Sequence, residues 1–230
     1  MSSTVRSVYK GSKLFKVISI VVGAVLVFML GLFGAGSVFN TGGFTVSLTD
    51  EKDSVKPVQL SLSETADFAN PTIRLTVPGV ENMTNITESD IPTDTITNDG
   101  SNNGEHYIAY TFYIKNVGES PCTLVESFNI TSAAKQADEA VRVKVFRNGT
   151  VTTYAKLGQN GMAEYGTTPF EDEETICKKV NKNFNPGDTI KYTLVVWIEG
   201  NDPECLDNIK GGNVEMSIAF TTNADDVTTT

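Results

Sequence analysis

Residues 106–117 read His-Tyr-Ile-Ala-Tyr-Thr-Phe-Tyr-Ile-Lys-Asn-Val, and this stretch decides the fold class. In an extended chain Ile108, Tyr110, Phe112 and Ile114 line one side, and Tyr107, Ala109, Thr111 and Tyr113 line the other. Side chains alternate with a period of two along a strand, and apolar character on both sides marks a strand inside a packed sheet.

The same period recurs on either side. Asn116-Val117-Gly118-Glu119-Ser120-Pro121 turns the chain into Cys122–Ile130. Val141, Val143 and Val145 alternate with Arg142 and Lys144 up to Asn148-Gly149, a strong short hairpin signal, so residues 150–156 pair back. Residues 175–180 read as a further strand, and Asn185-Pro186-Gly187-Asp188 is a tight turn. Ile190, Tyr192, Leu194, Val196 and Ile198 then share one face with the lone Trp197 opposite, and Val214, Met216, Ile218 and Phe220 close the pattern. Upstream, Phe44, Val46 and Leu48 alternate with Thr45, Ser47 and Thr49; residues 58–62 and 72–77 repeat the pattern between Pro57, Pro71 and Pro78.

Two stretches break the period. Residues 79–105, rich in Asn, Thr, Asp, Ser and Gly, are expected to be a polar surface excursion. Residues 132–140 hold good helix formers and predict a helix of one to two turns. The expected fold is all-β, nine or ten strands in an antiparallel two-sheet sandwich over residues 40–222, with a flexible tail at 223–230.

Residues 17–39 contain no charged group. As a helix they would extend about 34 Å, enough for a hydrocarbon core of about 30 Å. Lys10, Lys13 and Lys16 precede the run within a basic segment, 1–16, and the next charge is Asp50. Positive-inside logic keeps residues 1–16 in the cytoplasm and exports residues 40–230. The length of the run favours a retained transmembrane helix; Ala35-Gly36-Ser37 fits a signal peptide cut near Ser37. The expected location is a cell membrane with residues 40–230 extracytoplasmic, or secretion to the cell surface after cleavage.

The 18 basic groups include Arg6, Lys10, Lys13 and Lys16; the other 14 face all 28 acidic groups, so the exported part carries a net charge of −14. Nucleic acid is excluded as a partner, because its phosphates require Lys and Arg. No cofactor is expected. Cys122, Cys177 and Cys205 lack CxxC spacing and read as one disulfide plus a thiol, or as three thiols. His106 is the single histidine, with neither HExxH nor a GxSxG elbow beside it, so no catalytic set forms around it and no enzyme is expected. Acidic groups gather at Glu171, Asp172, Glu173 and Glu174, at Glu199, Asp202, Glu204 and Asp207, and at Asp94, Asp99 and Glu105. Carboxylates on loops suit calcium, but no EF-hand pattern is present, and a solvated acidic face is the simpler reading. Gly42-Gly43 and Gly211-Gly212 permit turns, and sequons stand at Asn82, Asn85, Asn129 and Asn148.

A basic start, an apolar run ending in small residues, Val38-Phe39-Asn40 and the strand Phe44–Leu48 resemble the leader and first strand of the TasA/camelysin group. Asn116-Val117-Gly118 and Asn185-Pro186-Gly187-Asp188 are similar to its internal turns. That resemblance implies a jelly-roll-like sandwich and a secreted bacterial surface or biofilm-fibre protein. It also implies assembly by strand addition, with Phe39, Phe44, Val46 and Leu48 filling a neighbour's pockets. The chain departs from the group in its longer apolar run and in the excursion at 79–105. No metal-ligand motif is present to receive the peptidase label of some relatives. The expected function is a non-catalytic structural or adhesive surface protein, with a ligand-binding ectodomain for calcium, glycan or protein as the alternative.

Overall fold

A computed structural model describes residues 43–49, 59–81, 83–209 and 212–223. The expectations for residues 1–42, including the membrane or signal helix, Phe39 and Gly42, lie outside the described residues, as do those for Asn82, Gly211 and residues 224–230. No helix among the described residues is long and apolar enough to cross a membrane.

The described chain is all-β, with twelve strands in two sheets: β1 (Phe44–Leu48), β2 (Leu60–Ser63), β3 (Arg74–Val77), β4 (Gly100–Ser101), β5 (Tyr107–Asn116), β6 (Cys122–Ala134), β7 (Val141–Arg147), β8 (Thr150–Ala155), β9 (Thr168–Pro169), β10 (Thr175–Phe184), β11 (Thr189–Ile198) and β12 (Asn213–Asn223). The five-stranded sheet runs β10-β6-β12-β1-β3. The seven-stranded sheet runs β2-β5-β11-β7-β8-β9, with β4 also on β5. The expectation of purely antiparallel sheets is corrected: β1 lies parallel to β12, and β8 parallel to β9. Neither pair is joined by a hairpin, so nothing local forces the chains to oppose.

The sheets share one core. Phe112 of β5 and Tyr192 of β11 stack with ring centres 5.2 Å apart, and Phe220 of β12 meets Tyr192 at 5.5 Å. Phe128 of β6 lies 6.1 Å from Tyr192, and Phe44 of β1 stands edge-on to Tyr110 at 6.0 Å. Each such ring contributes roughly 1.5–3 kcal/mol through apolar burial. The central pattern of β5 is therefore met on both faces, as its sequence requires. At Asn148-Gly149 φ is +46° and +84°, the left-handed pair that a tight hairpin needs and that β-branched residues avoid.

Polar groups pin the layers together. Glu126 of β6 is fully buried and accepts from Arg147 of β7 at 2.7 Å; Arg147 Nε also donates to the Tyr192 hydroxyl at 3.2 Å. Burial by itself would lower the Arg147 pKa, but the hydrogen bond and charge of Glu126 hold it above the usual arginine range. Asn116, closing β5, donates to the carbonyl of Phe184 at 2.7 Å and accepts from Gly118 N at 2.8 Å, so the Asn-x-Gly turn ties one sheet to the other.

The helix expected at 132–140 is absent. β6 continues to Ala134 against β12, and a 3-10 turn occupies Ala137–Glu139. Strand pairing with Asn213 and Val214 outweighs a helix preference of a few tenths of a kcal/mol per residue. The excursion at 79–105 is also more than a solvated loop. It holds 3-10 turns at Glu88–Asp90 and Thr93–Ile96, and its Ile86, Ile91 and Ile96 pack on Trp197, Ala109 and Val195 on the outer side of β5 and β11.

At the first of these turns, Thr87 N and Thr87 Oγ1 both donate to Asp90 Oδ2 at 2.8 Å. These bonds, the amide first, hold the Asp90 carboxyl below the ordinary 3.8. A lowered folded pKa stabilises the turn at and above the ordinary aspartate range, and that contribution is lost as pH falls through the lower folded value. An NMR titration is expected to place the Asp90 midpoint below 3.8, and Thr87→Val to move it upward; an unmoved midpoint would remove the hydroxyl from the account.

Candidate functional site

The outer side of the seven-stranded sheet carries a cluster of charges next to Trp197. Arg142 of β7 stands opposite Trp197 in the register, and it is 5% exposed. Its Nη2 lies 2.5 Å from Asp202 Oδ2 and 3.7 Å from Glu164 Oε2; Nη1 donates to the Val141 carbonyl at 3.3 Å. Asp202 belongs to the loop leaving β11, and Glu164 to the glycine-rich loop between β8 and β9. One guanidinium thus joins two loops to the sheet.

The loops also bind each other. Glu204 N donates to Asp202 Oδ1 at 2.8 Å, and Gln159 N donates to Glu204 Oε1 at 2.9 Å. Glu204 Oε2 is buried without a hydrogen-bond partner. Burial, then the neighbouring Glu204, raises the Asp202 carboxyl above the ordinary range, although Arg142 pulls it down. Glu204 is lowered, first by the Gln159 amide and then by Asp202. The ligand oxygens of Glu164, Asp202 and Glu204 all lie within 4.8 Å of one another, so these three could hold a metal ion. An all-oxygen set suits a hard cation such as calcium.

Of the acids singled out in the sequence, Asp202 and Glu204 come together here. Glu199 does not join them: it accepts from Trp197 Nε1 at 2.9 Å and from Asn201 N at 3.1 Å, shaping the loop instead. Asp207 lies in the 3-10 turn Asp207–Ile209. Glu164 escaped the sequence reading because it stands alone between Gly158 and Gly166, with no charged neighbour to mark it.

The run 171–174 is divided among other tasks. Glu173 pairs with Lys156 at 2.7 Å, Asp172 accepts from Glu174 N and Thr175 N, and Glu171 accepts from Lys178 N. Lys156 also meets Asp138 at 2.6 Å and Glu139 at 3.2 Å. Asp99 accepts from the Tyr113 hydroxyl at 2.6 Å; burial, then Asp99, pushes that tyrosine up to about 12. Asp94 opens the turn Thr93–Ile96, and Glu105 lies 3.9 Å from His106 Nε2. His106 Nδ1 accepts from Thr84 N at 3.3 Å, tying the excursion to the start of β5.

Cys122, Cys177 and Cys205 form no disulfide with one another, and the first two are buried. Cys122 pairs with Phe184 and Cys177 with Phe128, which sets them about 20 Å apart along β6. Burial raises both thiols. Gly43 is required sterically, since a Cβ there would meet the Val77 carbonyl at 2.5 Å. Of the sequons, Asn85 borders Gly200, Asn129 bonds Ser127, and Asn148 accepts from Lys191 N in the hairpin. Phe44, Val46 and Leu48 lie in β1, between β12 and β3 of their own sheet.

Asp202→Ala is expected to cost about 2–4 kcal/mol, because it strands a buried guanidinium with Glu164 as its remaining ion partner. Chemical denaturation checks this, and a loss below about 0.5 kcal/mol would show that Arg142 does not depend on Asp202.

The sequence matches no protein-family model and no curated protein. Among solved structures, the selenomethionine-labelled β-glucosidase from Kluyveromyces marxianus aligns at 12% identity over 71% of this chain, with a TM-score of 0.23. The chain spans 17% of that enzyme's length, and so slight a likeness carries no argument.

Proposed function

We propose that this chain is a non-catalytic, exported cell-surface protein of structural or adhesive type, anchored by residues 17–39 or released from them. The observation that carries this reading is the uncharged run behind Lys10, Lys13 and Lys16, followed by an acidic all-β domain. The two sheets are read as the layers of a jelly-roll-like sandwich of the kind the TasA/camelysin resemblance implies. Assembly by strand addition would place Phe39, Phe44, Val46 and Leu48 in a neighbour, where β1 lies in its own sheet. N-terminal sequencing of protein from native cells, with protease treatment of intact cells, tests the reading. A start near Ser37 means a released subunit, and an intact leader with a cleavable outer domain means a tether. A chain found in the cytosol and shielded from protease defeats both.

A second reading, a membrane-tethered calcium-binding ectodomain, is favoured by the buried and unpartnered Glu204 Oε2 beside Glu164 and Asp202. Calcium would then raise the melting temperature while magnesium would not, and Glu204→Gln would abolish the shift. Equal melting with and without calcium rules this reading out.

A further inference from the structure

We infer that the end of the domain where β1 begins rests on the membrane surface, held by apolar side chains of two loops that enter the headgroup region of a zwitterionic bilayer. This placement rests on the anchored form of the proposed function. Among the described residues, Leu157 (48% exposed), Met162 (64%), Leu206 (56%) and the fully exposed Tyr165 fall on just two loops, 156–167 between β8 and β9 and 199–209 after β11. Gln159 N on Glu204, and Arg142 between Glu164 and Asp202, fasten those loops to each other. Exposed apolar side chains gathered in one region mark a contact site, where scattered single ones do not.

Strand register puts both loops at one end of the domain. β11 finishes where β7 starts and β8 finishes, with Ile198 opposite Val141 and Tyr154 opposite Val143. Residues 199–209 then lead toward β12, whose early part lies parallel to β1 with Phe44 opposite Met216. Only residues 40–42 stand between the uncharged run and Gly43, at most about 11 Å of extended chain. A bilayer holding residues 17–39 therefore faces the end that carries both loops. Val117 and Val151, also exposed, lie at the opposite end, after β5 and at the start of β8.

The loops are built for an apolar medium, which penalises open amides. Gly158 N donates to the Met162 carbonyl at 3.0 Å, Gly161 N to the Gly158 carbonyl at 2.7 Å and Leu206 N to the Glu204 carbonyl at 2.8 Å. Met162 N donates to Asn160 Oδ1 at 2.8 Å. Tyr165 carries an apolar ring with a polar tip, the side-chain type that settles at headgroup level. The exposed acids Glu171, Asp172, Glu173 and Glu174, ahead of β10, repel an anionic leaflet, so the surface that fits is zwitterionic.

The test reconstitutes the full-length chain into phosphatidylcholine vesicles and irradiates a carbene-forming reagent dissolved in the acyl chains, with labelled peptides located by mass spectrometry. Label is expected on residues 17–39 and also on the peptides carrying Leu157, Met162, Tyr165 and Leu206, with those of Val117 and Val151 unlabelled. Met162→Asp/Tyr165→Asp should lose the loop label and keep that on 17–39. Vesicles of phosphatidylglycerol should likewise lower the loop label alone. Label confined to 17–39 in the parent overturns the placement and spares the anchored reading. Label on neither defeats the anchored reading and the placement with it. Loop label that survives both aspartates, or that is equal in the two lipids, also overturns the placement. Should the aspartate variant fail to fold, the labelling pattern of the parent decides.

Discussion

Arg147→Met is expected to destabilise the domain by about 3–5 kcal/mol, measured by urea unfolding. Glu126 is fully buried, and Arg147 meets it from the opposite sheet at 2.7 Å with a second contact at 3.2 Å. The methionine fills much of the space but leaves a carboxylate in the core with the Tyr192 hydroxyl as its remaining partner there. That hydroxyl is itself held far above its usual pKa, by burial first and by the Glu126 charge second, so it cannot take the place of a cation. The companion variant Arg147→Met/Glu126→Leu removes both charges. It is expected to return to within about 1–2 kcal/mol of the parent, because a buried ion pair replaced by apolar groups costs little. Near-equal losses in single and double variants would mean that Arg147 acts through packing on Tyr192, over whose ring its guanidinium lies at 6.0 Å, and that the ion pair is incidental.

Much of the architecture was legible in the sequence because period-two alternation is a local signal. β5, β7, β11 and β12 fall where their valines, isoleucines and aromatics predict, and Asn148-Gly149 turns where its left-handed preference predicts. Strand direction was not legible, since β1 meets β12 from the far end of the chain and no local turn encodes that pairing. The stretch 132–140 misleads for the opposite reason: alanines favour a helix in isolation, and their partner strand lies some eighty residues later.

The candidate site was half legible. Asp202 and Glu204 share a loop and announce themselves. Arg142 reads as the solvent-facing residue of an amphipathic strand, and nothing local says that two loops will bury it. The same blindness hid the role of the excursion. Its isoleucines stand five apart, at 86, 91 and 96, among polar residues, a spacing that fits neither the strand period of two nor the helix period of 3.6, so their common target is visible only in three dimensions.

That target gives the second large expected effect. Trp197→Ala is expected to cost about 3–5 kcal/mol, the range for truncating a large buried aromatic. Trp197 is 1% exposed although it faces the outer side of its sheet, because the excursion covers it. The cover is fastened at its margins by Ile86 N to the Ile198 carbonyl at 3.0 Å, by Gly200 N to the Ile86 carbonyl at 2.8 Å, and by the ion pair of Lys144 with Glu88. Those bonds are near the surface and cannot hold a polar segment of this length once its apolar anchor is gone. The loss should therefore be local as well as global. Amide exchange is expected to rise most at Ile86, Asp90, Thr95 and Thr97, and far less at the β5 and β11 amides facing the shared core. Trp197→Phe, which keeps the ring contact but drops the bond to Glu199, should show a smaller change in the same places. Uniform acceleration across both sheets would instead mean that the excursion stands without Trp197 and that the tryptophan serves the sheet alone.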